Sequence, residues 1–387
     1  MNVPLDTATD ERAYHHWLAS IPTIGYARAS ELLCFFESPR EVYHATDKLL
    51  RATGFKHIEQ VITAKQRIPA EELAAVLAQN IAVTTCWDRD YPPQLHHIHN
   101  PPLVLYLQGH LGFEDLREIS QQVAMVGSRQ CSQYGITTTI SIAKYLAGQG
   151  VTVVSGMARG IDTYAHKGVL EAGGVTLAVL GCGVDLCYPK ENAQLYTHIQ
   201  QRGGILSEYP PGTEARPFHF PMRNRIISGL TDATVVVEAG LKSGSLITAD
   251  CALEQGKNVY AVPGPITSKL STGTNNLIKQ GAYLLTDPRE ILEEVMLAQY
   301  HQNPSPKRVA GISQPKVESD NPTSTPMPVL TPEEQQVYTS VNATPTELDY
   351  LLQATGLDIQ NLNYHLMMLE LKGLIGKTAG NTYQRTS

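Results

Sequence analysis

The sequence predicts an α/β protein: a Rossmann-like parallel sheet core, preceded by a helical domain of helix-hairpin-helix or SAM-like character and followed by a winged helix. Three observations carry this. From residue 121, short β-branched runs (QVAMVG, VTVVSG, VTLAVLG, GGILSE, ATVVVEAG, NVYAVPG, AYLLT) alternate with helical stretches near 137–148, 160–172, 191–201, 222–230, 245–255, 274–280 and 288–299. Those runs are apolar at successive positions, as in strands buried on both faces beneath right-handed crossover helices. Residues 301–330 hold six prolines and few large apolar side chains, a composition that cannot offset the entropy of ordering.

Over the first 80 residues, short helical patterns alternate with turn signals. Ile21-Pro22-Thr23-Ile24-Gly25 runs into a segment where Ala29, Leu32, Leu33 and Phe36 recur at helical spacing, and a second turn centres on Gly54. Two helices around a tight glycine turn match the helix-hairpin-helix arrangement, whose turn amides meet a DNA phosphate. Only Arg28 and Lys56 lie close to the turns, so a small helical packing domain is an equal reading.

The expected organisation is therefore a helical domain over 1–80, the Rossmann-like domain with an extended lead-in over 81–300, a flexible linker over 301–330 and a winged helix over 331–387. In the last, helices near 331–341, 345–354 and 358–372 precede a hairpin in KGLIGKTAGNTYQR. Asp358 is placed to cap the third helix, with Ile359, Leu362, Leu366 and Leu369 on one face. Its outward Tyr364, Met367 and Met368 suit a protein surface or the domain's own packing.

The 30 Lys and Arg against 37 Asp and Glu, a net charge of -7, exclude a protein that coats nucleic acid or membrane by overall charge. The charge is uneven, with 14 basic and 14 acidic residues over 121–300 but 10 against 15 over 1–120 and 3 against 6 over 331–387. Six cysteines without a CxxC pair are expected to be reduced, mostly buried thiols, with no metal site. Without a leader-like segment or a long apolar run, the expectation is a cytoplasmic protein that engages no membrane.

Ligands of open parallel sheets bind beyond the carboxyl ends of the strands. Here strand after strand ends in small residues followed by polar ones: Gly127-Ser128-Arg129, Ser155-Gly156, Gly181-Cys182-Gly183, the run Gly240 to Ser245, and Pro263-Gly264. Glycine lets amides approach an anion, and the next helix adds its positive end. Arg129, Arg159, Lys190, Arg223, Arg225 and Lys242 fall in or just after these loops, although the segment is neutral overall. An extended polyanion fits this edge. The alternative for Arg223 and Arg225 is internal pairing with Glu208 or Glu238.

GxGxxG after a strand, the P-loop and GxSxG are all absent, so no dinucleotide cofactor and no nucleophile elbow are expected. Asp162 and His166 lie four apart, on one helical face. The expectation is a structural pair, Asp162 satisfying amides at the helix start and His166 packing or hydrogen-bonding.

At these residues the sequence closely resembles the DNA-processing protein A family (DprA, also called Smf). The resemblance rests on GSR at 127–129, SGMARGIDTYAH at 155–166, YPKEN at 188–192, LSEYPPG at 206–212, FPMRNRIISGL at 220–230, EAGLKSGSLITA at 238–249 and VPGPITSKLSTGTNNLIKQGA at 262–282. It implies a non-enzymatic protein that binds single-stranded DNA in natural transformation, shields it, helps load the RecA recombinase and forms a homodimer through the Rossmann-like domain. It further implies phosphate contacts at Gly127, Ser128, Arg129, Ser155, Gly156, Ser243, Gly244 and Ser245, with Arg223 and Arg225 lining the pocket; Lys190 is added to them from its position. The rival reading is an enzyme like the nucleotide phosphoribohydrolases, with Glu238 as its acid, although their PGGxGT loop is missing.

Overall fold

The computed structural model describes residues 11–22, 24–292, 330–342, 346–372, 374–378 and 382–385. The linker expected at 301–330 and the far end of the helix expected over 288–299 lie outside the described residues, apart from Leu330. The chain divides into two compact units, residues 1–307 and 308–387.

Unit one opens with six short helices, α1 (Glu11–Ala19), α2 (Tyr26–Leu33), α3 (Pro39–His44), α4 (Asp47–Ala52), α5 (Ile58–Ala64) and α6 (Pro69–Leu77). Ser38 and Thr46 cap α3 and α4 through their hydroxyls, and proline opens α3 and α6, where its missing N–H costs nothing. Ala29, Leu32 and Phe36 are buried as their spacing requires.

The α/β part follows as β1 (Ala82–Thr85), β2 (Val104–Gly109), α7 (Phe113–Glu118), β3 (Gln122–Val126), α8 (Gln133–Gly148), β4 (Thr152–Ser155), α9 (Ile161–Glu171), β5 (Thr176–Val179), α10 (Ala193–Arg202), β6 (Gly204–Ser207), α11 (His219–Leu230), β7 (Ala233–Val236), α12 (Ser245–Glu254), β8 (Asn258–Ala261), α13 (Thr272–Lys279) and β9 (Tyr283–Leu284). The sheet order is β1-β2-β6-β5-β4-β3-β7-β8-β9. Strands β3 to β9 pair in parallel; β1 and β2 add an antiparallel edge through β6, with Tyr106 opposite Ser207. This pair occupies the stretch expected only as an extended lead-in, because the proline- and histidine-rich loop between the two strands carries only a short 3-10 helix (Pro93–His97) and no α-helix to announce them.

Both faces of β3 to β8 are covered, and successive residues go to opposite sides, whereas Tyr283 and Leu284 of β9 are exposed. Val123, Met125, Val153 and Val235 pack with α8 and α9 residues such as Ile142 and Ala165. Ala124, Val126, Val154 and Val236 pack with α11 and α12 residues such as Ile226 and Ala249. A third cluster joins Trp17, Leu32 and Leu50 of the helical layer to Val83, Tyr106 and Ile205 of the sheet, so these helices share their core with the strands.

From β3 the chain steps outward through β4, β5 and β6, then returns to place β7 on β3's other side. The connections leaving β3 and β7 therefore part in opposite directions. This switch point opens a crevice at their carboxyl ends.

Unit two holds α14 (Pro332–Ser340), β10 (Thr346–Glu347), α15 (Leu348–Thr355), α16 (Ile359–Leu371), β11 (Ile375–Thr378) and β12 (Thr382–Arg385). A Thr331/Glu334 capping box starts α14, and Asp358 accepts the Asn361 amide at the start of α16. The hairpin gains a third strand, β10, against β12. Leu362, Leu366 and Leu369 are buried, whereas Ile359 is exposed, because it sits in the first turn beyond the reach of the core. Tyr364 is exposed, Met368 half-buried, and the side chain of Met367 lies outside the described residues.

The unit boundary yields a stability prediction. A chain ending at Pro304 should unfold in urea with the same midpoint as the corresponding transition of the full-length protein. A lower midpoint at unchanged slope would show that the C-terminal unit supports the first.

Candidate functional site

A cleft of about 560 Å³ lies at the switch point. The loop after β3 supplies Gly127, Ser128 and Arg129, the loop after β7 supplies Lys242, Ser243, Gly244 and Ser245, and α11 supplies Phe220, Arg223 and Asn224. Of the site residues expected from the sequence, the fold brings together Gly127, Ser128, Arg129, Arg223, Ser243, Gly244 and Ser245.

The first loop is fixed from beneath. Ser128 donates its amide to the Glu238 carbonyl (2.7 Å) and its hydroxyl to the Gln130 carbonyl (2.7 Å). A side chain at 127 would put its Cβ 2.6 Å from Ile161, and one at 160, where φ is +78°, would lie 2.2 Å from the Ser128 carbonyl. Both positions therefore require glycine. Arg129 projects from this rigid loop. It is exposed and makes no ion pair among the described residues, and its guanidinium rests 5.2 Å from the Phe220 ring centroid. Phe220 in turn packs against Tyr188 at 5.3 Å.

On the opposite wall, α12 begins at Ser245 without a side-chain cap, and the Ser243 and Ser245 hydroxyls bond each other at 2.8 Å. Asn224 holds this loop by donating to the Gly244 carbonyl (3.1 Å). Exposed Lys242 adds a second cation to the rim. It is not among the phosphate contacts expected above, although it shares the GLKSGS loop with the serines.

Arg223 is 3% exposed and forms the floor. It donates to the carbonyls of Gly156 (2.9 Å) and Val179, and its Nε has no partner. Burial lowers its pKa to about 10, against the pull of Asp162. The Asp162 carboxylate accepts the amides of Gly156 (3.1 Å) and Ala158 (3.4 Å), and burial raises it to about 6 against Arg223. Thr176 donates its hydroxyl to the Val153 carbonyl, so His166 Nδ1 donates to Thr176 (2.7 Å); burial holds this ring neutral, lowered to about 3. Asp162 and His166 thus have the structural roles expected of them.

Four residues fall elsewhere. Ser155 is fully buried and donates to the Met125 carbonyl at 2.6 Å, because the last residue of a central strand faces the sheet's interior. Gly156 is buried, with its amide on Asp162 and its carbonyl on Arg223. Lys190 is exposed on a 3-10 turn (Lys190–Asn192) outside the cleft lining. Arg225 lies two residues from Arg223 on α11 and so points away from the cleft, where it pairs bidentately with Glu208 at 2.9 and 2.7 Å. Glu238 accepts the Ser132 amide (2.8 Å) and hydroxyl (2.5 Å) at the start of α8, so its carboxylate is engaged as a helix cap.

Asn192, which carries no signal in the sequence beyond its place in YPKEN, donates to the Met157 carbonyl and the Thr163 hydroxyl, both at 2.9 Å. Met157 has φ +53°, an uncommon conformation for a non-glycine residue that needs such support. The thiols are free as expected, but only Cys182 is fully buried, while Cys34 is exposed. No group of three or more His, Cys, Asp or Glu among the described residues is arranged to hold a metal, and no described helix is long and apolar enough to cross a membrane.

Comparison with known proteins agrees with this fold. The family model described as DNA recombination-mediator protein A matches residues 82–296, and the DprA winged helix domain matches 321–381. Protein Smf of Synechocystis is 34% identical over 98% of this chain and 100% of its own length. The Streptococcus pneumoniae DNA processing protein DprA is 44% identical over 54% of this chain and 72% of its own. Its X-ray structure aligns over 73% of this chain and 97% of its own, with a TM-score of 0.64 and 34% identity. The Helicobacter pylori DNA processing protein A, described for its single-stranded DNA binding mode, aligns over 56% and 96%, with a TM-score of 0.50 and 29% identity.

The buried carboxylates make the framework testable. Glu208→Gln should destabilise the protein by about 2–4 kcal/mol in urea unfolding, because it leaves Arg225 largely buried without its carboxylate; an unchanged midpoint would contradict the structural role. For Asp162, the folded protein between about pH 3.8 and 6 keeps a proton that the unfolded chain has lost, so its contribution to stability falls as pH rises through that window. Asp162→Asn should remove this downward component from a plot of unfolding free energy against pH, and a plot parallel to wild type would refute the assignment.

Proposed function

Because this chain belongs to the DNA recombination-mediator protein A (DprA/Smf) family, we propose that its switch-point cleft holds the backbone of single-stranded DNA in natural transformation. The observation that carries the reading is Arg129: an exposed guanidinium without an ion pair among the described residues, set on a loop whose Ser128 amide and hydroxyl are already engaged. A planar fork held in this way suits bidentate contact with a phosphate. The α12 start, the Ser243 and Ser245 hydroxyls and Lys242 complete a cradle on the other wall. Phe220 and Tyr188 supply faces for stacking without sequence preference.

The cleft is a binding surface rather than a centre of turnover. Its one carboxylate, Asp162, is occupied by amides, Glu238 caps a helix, and His166 is sealed beneath the sheet. This weighs against the nucleotide-hydrolase alternative. Protection of the strand in the cytoplasm, delivery to RecA and assembly as a homodimer through the Rossmann-like unit complete the proposal; they rest on the family, and no residues are assigned to the recombinase or dimer contacts.

Arg129→Ala should lower affinity for a single-stranded oligonucleotide at least about tenfold in fluorescence anisotropy without changing the thermal midpoint, in line with about 1.5–3 kcal/mol for a charge-assisted hydrogen bond. Arg129→Lys should recover part of the affinity. The log-log salt slope should become shallower by about 0.7 for each phosphate that the variant no longer neutralises. Wild-type affinity in Arg129→Ala, or release of base from a nucleoside monophosphate by the wild-type protein, would overturn the reading.

A further inference from the structure

We infer that the groove between the N-terminal helices and the sheet is a second binding site for the same single strand, which reaches it from the switch-point cleft across the start of α11. The inference rests on the reading of that cleft as a single-strand site.

The groove encloses about 1040 Å³ within unit one. The end of α1, the turn into α2 and part of α6 form one side; the loop after β6 and the first turn of α11 form the other.

Its charge suits a polyanion. Arg28, Arg67, Arg216 and Arg225 line it against two carboxylates, and both of these are engaged: Glu208 by Arg225 at 2.7 Å, and Glu72 by Arg67 at 3.2 Å. The two histidines that face it are neutral and neither add to this charge nor oppose it. Burial lowers His16 to about 4, and burial also lowers His219. Exposed Arg216 has no ion pair among the described residues and leaves its positive charge to this groove. The turn between α1 and α2 contains the IPTIG segment, which matches the helix-hairpin-helix arrangement in which turn amides meet a phosphate. Its Ile21, Pro22, Ile24 and Gly25 line this groove, with α2 starting at Tyr26 behind an N-cap glycine that offers no side-chain cap.

The groove also offers surfaces for bases. Phe218 is 61% exposed and Met222 46%, both large apolar side chains that the protein's own core leaves uncovered. Tyr209 stacks on His219 with centroids 4.1 Å apart, so its ring is held in one orientation.

Continuity decides the occupant. Pro217, Phe220 and Pro221 line the cleft, whereas Arg216, Phe218 and Met222 line the groove. The two recesses thus share a single wall of chain, and a strand leaving Arg129 over Phe220 meets Phe218 next. A free nucleotide or an acidic peptide has no need of this connection; a single strand longer than the cleft does.

The test compares oligothymidylates of about 5 and about 15 nucleotides, a span typical of single-strand site sizes. They are titrated into the full-length wild-type protein, Arg129→Ala and the double variant Arg216→Ala/Phe218→Ala, whose side chains are exposed and whose thermal midpoint is expected to match wild type. The double variant should bind the short oligonucleotide as wild type does, bind the long one about tenfold or more weakly, and show a shallower salt slope for the long one only. Arg129→Ala should weaken both. If the double variant binds both lengths like wild type while Arg129→Ala fails, the groove inference is overturned and the cleft reading stands. If Arg129→Ala binds both normally, the cleft reading falls, and the groove is no longer a second site. Equal weakening on both lengths in the double variant would show one continuous pocket in place of two sites.

Discussion

The structure depends on a constraint at one place: β3 and β7 lie side by side while their onward connections part. Beyond the ladder between them, the two strand ends are joined through Glu238, whose carbonyl accepts the Ser128 amide and whose carboxylate closes the start of α8. Strand β7 thereby sets the position of the loop that carries Arg129 and of the helix that follows it. Everything at the cleft is referred to this joint, and that explains why an acid is found there only 2% exposed.

Charge is handled in two ways on the same edge. Beneath the surface, Arg223 and Asp162 are each surrounded by backbone partners and partly offset one another, holding the strand-end loops in shape. Above it, Arg129 and Lys242 are left to solvent. A buried cation loses solvation and must be satisfied by the protein, whereas an exposed one keeps its capacity for an incoming anion. The sequence shows six basic residues near strand ends, but only three-dimensional placement separates those that build the site from those that face outward.

The parallel core is legible in the sequence because its strands are apolar on consecutive positions and its helices amphipathic; the helices expected from residue 137 to 280 lie within a few residues of α8 to α13. The antiparallel pair β1 and β2 is not, since nothing local tells a buried edge strand from an apolar loop when no amphipathic α-helix separates it from its partner. At the site, glycines and basic residues mark the right edge of the sheet. They do not tell Arg223 from Arg225, whose two-residue offset on a helix turns one toward the cleft and the other toward Glu208. Ser155 misleads for a related reason, as the final residue of a central strand still belongs to the sheet's interior. Asn192 leaves no local signal at all, because its purpose is defined by a backbone carbonyl 35 residues away.

The shared core beneath the N-terminal helices has a consequence for modularity. Trp17 and Leu32 bury the same surface that Val83, Tyr106 and Ile205 need covered, so the helical layer is no appendage that can be traded independently. A chimera joined near residue 80 would inherit mismatched halves of one interior, even with every strand-end loop intact. Exchange between related chains is therefore expected to succeed when the helices travel with the sheet they cover, and the heritable unit is larger than the segment that carries the cleft.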